Sequence, residues 1–427
     1  MKRISGFPVP QRLTVPLLLA AGIVVFYLLR PDADGGGETD DNGSGSESIR
    51  FRTGERTAGG EAEKERRKQA ISEAADRWHE ELLEIYPDMR PEFRDVADAD
   101  NGFLQFLLLA ESKEMTELPK EIEVMFWEEA PWDAGKFAAW QAEHREGLVK
   151  LLKIAELPDR STKGIDFGRF AKGARLTPTF GNVLAGSALL AFEQGDEAAA
   201  LRYSRAAIRL SNHLTGVEAP SVLGKVIAQG YDCRIRDMFR DSILPSLSDD
   251  ASSLQAWREA IFPPRDAAAD YRLLLKGEWN CFIRSQILPA LLGEHSSEPE
   301  APSFDIADNN AYFQHYTQAV RDLAAGFSNS GPGRLDLAQS ELQFPSSVIA
   351  AQTLLMLNET SASYRGIFSS LGKRVTEDAL ISAAIAIRLG ESPGVDPVSG
   401  QPFLWDATTR TLKTPPESRD PLSLTLK

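Results

Sequence analysis

The chain has 427 residues, of which 42% are hydrophobic and 26% are charged, and its formal net charge is −15 at pH 7. This hydrophobic content is enough for a buried core, and the length allows one large domain or two ordinary ones. The excess of negative charge argues against binding nucleic acid or anionic lipid headgroups through bulk electrostatics. Two cysteines, Cys233 and Cys281, are too few for a disulfide scaffold. They are either joined to each other or two separate buried thiols.

An uncharged apolar run of seventeen residues, from Leu13 to Leu29, lies between Arg12 and Arg30. As a helix it would be about 25 Å long, near the lower limit for crossing a bilayer. The flanking arginines extend its reach to both interfaces. Cations precede the run and acidic residues follow it, so the positive-inside rule predicts a cytoplasmic N-terminus. The run therefore predicts a signal anchor that crosses the inner membrane once.

The end of the apolar run distinguishes an uncleaved anchor from a cleaved signal peptide. A cleavage site needs small residues just beyond the apolar stretch, whereas this run ends with the bulky sequence FYLL followed by Arg30 and Pro31. We therefore favour the anchor, with cleavage as the alternative. The next segment, up to residue 60, is rich in Gly, Ser and acidic residues and predicts a flexible tether. The bulk of the chain is then expected in the periplasm or outside the cell.

From residue 61 onward, apolar residues recur at intervals of three and four, the period of amphipathic helices. Capping residues and prolines bound the segments. The predicted helical segments, in chain order, are Glu61–Tyr86, Gly102–Ser112, Trp132–Leu157, Leu184–Leu210, Ser221–Ser242, Asp250–Ile261, Arg265–Leu292, Asn309–Phe327, Ser346–Leu357 and Glu377–Leu389. Strand patterns are nearly absent until the C-terminus, where Gln401–Trp405 and Arg410–Thr414 predict a β-hairpin.

Within this series, the segment Leu184–Leu210 predicts two antiparallel helices. Gly195 supplies the turn after the first helix, and Asp196 caps the second. In the spacing of its small and large residues the segment resembles one tetratricopeptide repeat. The residues that carry this resemblance are Ala188, Gly195, Asp196, Ala200, Ala207, Leu184, Leu201 and Ile208. The pattern does not recur in the segment that follows, so we expect a divergent stack of helical hairpins.

The C-terminal region has a different character, DPVSGQPFLWDATTRTLKTPP, with turn dipeptides at Asp396-Pro397 and Ser399-Gly400. A helix of small residues followed by D-P-x-x-G-x-P and an aromatic residue resembles the end of type II secretion pseudopilin-like domains. It also resembles the tails of uncharacterised, N-terminally anchored α-helical proteins of the bacterial envelope. In that group the resemblance extends to an acidic-capped helix, a Pro-Pro break and the step Gly277-Glu278-Trp279. It implies an anchored envelope protein without implying an activity.

Motifs for catalysis or metal binding are weak. The five histidines contain no pair at i, i+4, so we predict no metal and no other cofactor. We expect Trp78 on the apolar side of the first helix, which predicts a solvated His79. His213 is attributed to charge complementarity with a helix C-terminus. The segment Asp98–Gly102 matches a calcium loop only in part, and we interpret it as the cap of the helix that begins there.

The sequence block FWEEAPW is the best candidate for contact with a ligand or a partner. Its aromatic and acidic side chains suit binding of a sugar or of a protein surface. They equally suit a helix end packed on the core, which is the interpretation we favour. The candidate binding residues are Phe126, Trp127, Glu128, Glu129 and Trp132. No catalytic residue is predicted.

Together these patterns predict an all-α fold of stacked antiparallel helical hairpins, divergent from tetratricopeptide repeats, with a small C-terminal β-hairpin. The predicted regions are a cytoplasmic N-terminus (1–12), a transmembrane anchor (13–29), a tether (30–60), an α-helical hairpin domain (61–390) and a β-hairpin cap (391–427). Such stacks present a long surface, so we expect a non-enzymatic scaffold that binds a protein partner in the cell envelope and no nucleic acid. The alternative is an envelope hydrolase that acts on glycan or peptide through dispersed carboxylates.

Overall fold

A computed structural model of the chain describes residues 58–112, 117–126, 130–165, 167–174, 177–263, 267–292 and 373–416, with further positions between 310 and 325 and between 418 and 426. These residues are mostly helical, as the sequence predicts. The helices are α1 (Ala58–Ile85), α2 (Gly102–Glu111), α3 (Lys120–Phe126), α4 (Ala134–Glu143), α5 (Arg145–Glu156), α6 (Phe167–Ala174), α7 (Pro178–Glu193), α8 (Glu197–Thr215), α9 (Val222–Met238), α10 (Ala251–Ile261), α11 (Ala267–Phe282), α12 (Leu288–Leu291) and α13 (residues 373–388).

Two hydrophobic cores hold these helices together. The larger core is built mainly from α2 to α10, together with α13 and residues of the C-terminal sheet. The smaller core lies between the C-terminal half of α1 and helices α11 and α12, and it includes the fully buried ring of Trp279. Removal of apolar surface from water at both cores is the main favourable term in folding.

Helix α1 buries His79 as well as its apolar residues. The ring of His79 lies 6.0 Å from that of Trp279 on α11, and only 8% of the histidine is exposed. The prediction of a solvated His79 is therefore wrong. Helical spacing predicts the direction of the apolar face, but its width depends on the neighbouring helix, and α11 covers His79 too. Burial lowers the pKa of His79 to about 4, so the ring is neutral at pH 7.

The single helix predicted over Trp132–Leu157 is interrupted at His144, which separates α4 from α5. The ring of His144 stacks on that of Trp140 at a centroid distance of 4.6 Å. Its Nδ1 lies 2.9 Å from the Trp140 carbonyl oxygen, which also accepts the backbone N–H of His144. A side chain that competes for a helical carbonyl is a known cause of a kink.

Helices α7 and α8 form the antiparallel hairpin that the sequence predicts. Gly195 between them has a φ of +80°, a conformation that favours glycine. The carboxylate of Asp196 accepts the N–H of Ala199 at 2.9 Å and caps α8. Helix α9 packs against both members of the pair, so the hairpin is the centre of the larger core.

The step Gly277-Glu278-Trp279 holds α11 against the start of α9. A Cβ at position 277 would lie 2.2 Å from the carbonyl oxygen of Pro220, so only glycine allows this approach. The Glu278 carboxylate accepts the N–H of Val222 at 2.8 Å, at the start of α9. The Trp279 indole N–H donates to the Thr317 hydroxyl at 3.0 Å. Three consecutive residues therefore contact two remote segments, the start of α9 with the residues before it and the segment that contains Thr317.

The C-terminal sheet has three short antiparallel strands in the order β1 (Leu404–Asp406), β2 (Thr411–Lys413) and β3 (Ser423–Thr425). The first two are the predicted hairpin, whereas the sequence pattern does not predict β3. The buried Asp396 attaches this region to α13 because its carboxylate accepts the hydroxyl of Thr376 at 2.9 Å. The same carboxylate accepts two backbone N–H groups of the D-P-x-x-G turn.

Two short helices, α3 and α6, are not predicted from the sequence. With seven and eight residues, they are shorter than the window in which helical periodicity is recognised. The predicted helix Ser346–Leu357 and the predicted anchor at 13–29 lie outside the described residues. Of the helices that the structure describes, none has both the length and the apolar character needed to cross a membrane.

Candidate functional site: a polar loop cluster

The described part of the FWEEAPW block packs on the core. The ring of Phe126 is buried and lies 5.9 Å from that of Phe137. Trp132 is half-buried, and its indole N–H donates to Glu193 at 3.1 Å. Trp127, Glu128 and Glu129 lie outside the described residues. The structure thus brings Phe126 and Trp132 together as packing side chains, and binding by the whole block stays a prediction.

A different site is formed where three connecting segments, residues 90–101, 157–165 and 216–220, meet at one end of α2, α5 and α8. We call these segments the loop cluster. Asn101 pairs with Asp159 in an isolated parallel bridge, and the N–H of Gly102 donates to the Asp159 carbonyl at 2.8 Å. The start of α2 therefore lies beside the end of α5, and the two helices run antiparallel.

Asn101 connects the first two segments through both ends of its side-chain amide. Its Nδ2 donates to the Ser161 carbonyl at 2.9 Å, and its Oδ1 accepts the Ser161 N–H at 3.0 Å. The same oxygen accepts the N–H of Leu104 at 3.3 Å, so Asn101 is also the N-cap of α2. The capping interpretation of the segment is therefore confirmed, and the contact with Ser161 is an addition that only the fold provides.

Glu218 connects all three segments. One carboxylate oxygen accepts the backbone N–H and the Nε–H of Arg94, both at 3.1 Å, and the other accepts the N–H of Thr162 at 3.1 Å. Only 6% of the Glu218 side chain is exposed. Burial alone would raise the pKa of this carboxyl, but its backbone N–H donors and Arg94 outweigh burial and lower the pKa.

Two arginines complete the cluster. The guanidinium of Arg94 also donates to the carbonyl of Arg160, and the Nε–H of Arg160 donates to the carbonyl of Gly216 at 2.8 Å. A Cβ at position 216 would lie 2.6 Å from the Arg160 guanidinium, so a side chain there would require the guanidinium to shift. Because each segment is bonded to the others, the loops have one defined arrangement.

His213 lies beneath the loop cluster and is 1% exposed. Its Nε2–H donates to the Ile154 carbonyl at 2.9 Å, at the end of α5. A Cβ at position 102 would lie 2.4 Å from the ring, so Gly102 makes room for it. Burial lowers the pKa of His213 to about 4, and the ring is therefore neutral at pH 7. The attribution of His213 to charge complementarity at a helix end is wrong, because a neutral ring does not supply that charge.

The loop cluster borders an open cavity of about 400 Å³. Across its lining, Lys163 pairs with Asp95. The carboxylate of Asp98 makes no hydrogen bond or ion pair with any described residue. The residues that line the cavity are Arg94, Asp95, Val96, Ala97, Asp98, Asn101, Leu104, Ser161 and Lys163. Sequence reasoning missed this site apart from the Asp98–Gly102 segment, because the other residues lie in loops without periodicity.

A second polar group lies in the interior, between α9 and α13, and we call it the ionic network. Its members are Arg236, Arg240, Arg374, Asp232, Asp237, Asp241, Glu377 and Asp378. Arg374 contacts Asp237 at 3.1 Å and Glu377 at 2.7 Å, and Arg236 pairs with Asp378. Burial raises the pKa of Asp378 despite the two nearby arginines.

The ionic network coincides with an irregular part of the backbone. Helix α9 continues into a single π-helical turn, Phe239–Ile243, which carries Arg240 and Asp241. Insertions of this kind are frequent at functional sites. Cys233 is buried beside the network and Cys281 is half-buried on α11, and the two are not joined in a disulfide. Burial raises the pKa of Cys233 to about 12, so this thiol is protonated and unreactive at pH 7.

Across the described part of the chain, no group of three or more His, Cys, Asp or Glu side chains is arranged to hold a metal ion. Comparison of the chain with protein-family models, curated proteins and solved structures finds no match.

Proposed function

We propose that this protein is a membrane-anchored scaffold that binds another protein outside the cytoplasm, and that the loop cluster is its binding site. The single observation that carries the proposal is the open cavity bordered by loops in one defined arrangement. Binding to loops that are already ordered avoids the entropy cost of ordering them in the complex.

The surroundings of the cavity suit contact with a protein. Phe93, next to the lining residue Arg94, is 47% exposed, and Leu108 is 41% exposed. Leu108 lies one helical turn after the lining residue Leu104 on α2, so an apolar strip continues from the cavity along that helix. Aromatic and apolar side chains around a polar centre are typical anchors of protein interfaces.

The chemistry of the cavity favours binding over hydrolysis. Asp95 and Asp98 both line it. The ion pair with Lys163 lowers the pKa of Asp95, whereas a general acid of a glycosidase needs a raised pKa. Asp95 is therefore unsuited to be that general acid.

The proposed setting follows from the sequence. The apolar run at 13–29 and the acidic tether at 30–60 would hold the helical domain outside the cytoplasm with freedom to move. We propose the helical domain itself as a divergent, tetratricopeptide-like stack, in which the α7–α8 hairpin is the repeat-like unit. Protease treatment of intact spheroplasts that express the full chain with a C-terminal tag tests this topology, since the tag should be digested from outside.

Site-specific photocrosslinking in the native cell tests the binding function. A benzoylphenylalanine in place of Phe93 is expected to give one defined crosslinked product with the full-length chain. The same residue in place of Val395, which is 55% exposed near the C-terminal sheet, is the matched control and should not give that product. Equal products at both positions, or none at position 93, would contradict the proposal.

A further inference from the structure

Two cationic and two acidic side chains line the cavity of the loop cluster, so the lining is balanced in charge, but only three of the four are in ion pairs with described residues. Arg94 is bound to Glu218 and to the carbonyl of Arg160, and Lys163 is bound to Asp95. Asp98 remains as a lining carboxylate without a partner among the described residues. The Asp98 carboxylate is therefore the charged group of the lining that a ligand can contact without sharing it with an existing ion pair.

The walls of the cavity suit the stem of a long cationic side chain. Val96, Ala97 and Leu104 supply apolar lining, and Asp98 and Asp95 supply carboxylates. Lys and Arg bury their methylene groups along apolar surface and keep the charged group near polar partners. A volume of about 400 Å³ lies within the range of small-ligand sites.

From this arrangement we propose that the cavity binds the cationic side chain, Lys or Arg, of an extended peptide segment of the partner protein. The inference rests on the proposed function, because it names the chemistry of the partner at the same site. The guanidinium or ammonium group contacts Asp98, its methylene stem lies against Leu104, and neighbouring apolar residues of the peptide contact the strip that ends at Leu108.

Equilibrium binding of short labelled peptides to the full-length protein, measured by fluorescence anisotropy, tests this inference. The probes are acetyl-Ala-Arg-Ala-amide and its citrulline analogue, which has nearly the same shape without the charge. The variants are Asp98→Asn and, as the matched control, Asp100→Asn, since Asp100 lies two residues further along the same loop and does not line the cavity. Circular dichroism and the unfolding midpoint establish that both variants fold as the wild type does.

The arginine peptide is expected to bind at least fivefold more tightly than the citrulline peptide. This preference should be lost in Asp98→Asn and retained in Asp100→Asn. Equal binding of the two peptides, an equal loss in the two variants, or tighter binding of a glutamate peptide would each overturn the inference. Failure of this inference can be told apart from failure of the proposed function. A crosslink at position 93 that persists in Asp98→Asn would contradict only the recognition of a cationic side chain. Selective peptide binding without that crosslink would contradict only the binding of a protein partner in the cell.

Discussion

The loop cluster and the ionic network place charged groups in two different settings. In the loop cluster, Glu218 is satisfied by backbone N–H groups and by Arg94, and an open cavity lies beside it. In the ionic network, the buried Arg374 and the largely buried Asp378 depend on each other and on the charged side chains of Asp237 and Arg236, which are remote in the sequence. The fold fixes the positions of the backbone donors, whereas the charged side chains of the network are kept in place by their ion pairs with one another.

The pKa values of the Glu218 and Asp378 carboxyl groups are shifted in opposite directions, which reflects this difference. Glu218 is buried, yet its donors lower its pKa, so the fold favours the charged form. Asp378 is near two arginines, yet burial raises its pKa, so the fold disfavours the charged form. Pre-positioned backbone donors together with Arg94 thus support the charge of the buried Glu218, whereas the charges of the ionic network are supported by one another as a connected set of side chains.

The largest effect is expected from breaking the ionic network. Replacing Arg374→Met leaves Asp237, Glu377 and Asp378 without their shared cation, and it should lower the free energy of unfolding by about 3–5 kcal/mol. Urea unfolding of the full chain measures the change. Arg145→Met, at an exposed position on α5, is the control and should alter stability by less than about 0.5 kcal/mol. A small loss in Arg374→Met would show that the network is dispensable for stability.

The next largest effect is a change in stability with pH that differs between the loop cluster and the ionic network. The folded-state pKa of His213 is about 4, below its ordinary value of 6.5. Above pH 6.5 the ring is neutral in both states and its contribution is complete. As pH falls from 6.5 to 4, the unfolded chain takes up the proton first, so stability falls by roughly 3 kcal/mol at pH 4. Glu218 adds to this loss below its ordinary pKa, whereas Asp378, with its raised pKa, acts in the opposite direction.

Unfolding midpoints measured from pH 7 to pH 4 test this separation. His213→Gln keeps a donor for the Ile154 carbonyl and removes the titrating group, so its stability should depend less steeply on pH than that of the wild type. His79, whose pKa is also lowered by burial, should retain its own dependence in that variant. A wild-type stability that is constant between pH 6.5 and 4 would contradict the assignment.

A smaller loss is expected from Glu218→Gln in the loop cluster. The amide keeps one acceptor oxygen but turns an NH₂ group towards a backbone donor, which should cost about 2 kcal/mol. Glu156→Gln, exposed at the end of α5, is the matched control. Hydrogen exchange should become faster at Thr162 and Arg94 in Glu218→Gln alone. Unchanged exchange at both amides would mean that Glu218 does not order the loops.

The smallest effect on stability is expected from Lys163→Met, because exposed ion pairs contribute about 0–1 kcal/mol. The substitution releases Asp95 into the cavity, so the arginine peptide should bind about threefold more tightly. Anisotropy titrations of the wild type and Lys163→Met at equal salt concentration measure this. Weaker binding of the arginine peptide would indicate that Lys163 itself contacts the ligand.

Short sequence patterns predict much of the fold because they reflect interactions between residues that are close together in the sequence. The Gly195-Asp196 turn follows from one residue that tolerates a positive φ and one that caps a helix. The Asp250 cap and the Asp396-Pro397 turn follow in the same way. In each of these features the interacting residues lie within a few positions of one another, so both can be identified from a short stretch of sequence.

The candidate site is different because its partners are remote. Arg94, Ser161 and Glu218 come from three loops, and none of them has a distinctive local pattern. The solvated His79 was a wrong prediction for a related reason, because whether a ring is buried depends on its neighbours in space.

Composition, hydrophobic period and turn chemistry were enough to determine that this protein is mostly helical, that a tight hairpin lies near residue 195, and that short strands close the chain. Those properties depend on contacts between residues that are near in sequence. Only the tertiary structure decided that Gly277 lets α11 approach the residues before α9, that two histidines are neutral and buried, and that three bonded loops lie beside an open cavity lined by Asp98. These features depend on distances between remote segments, which no local pattern of residues contains.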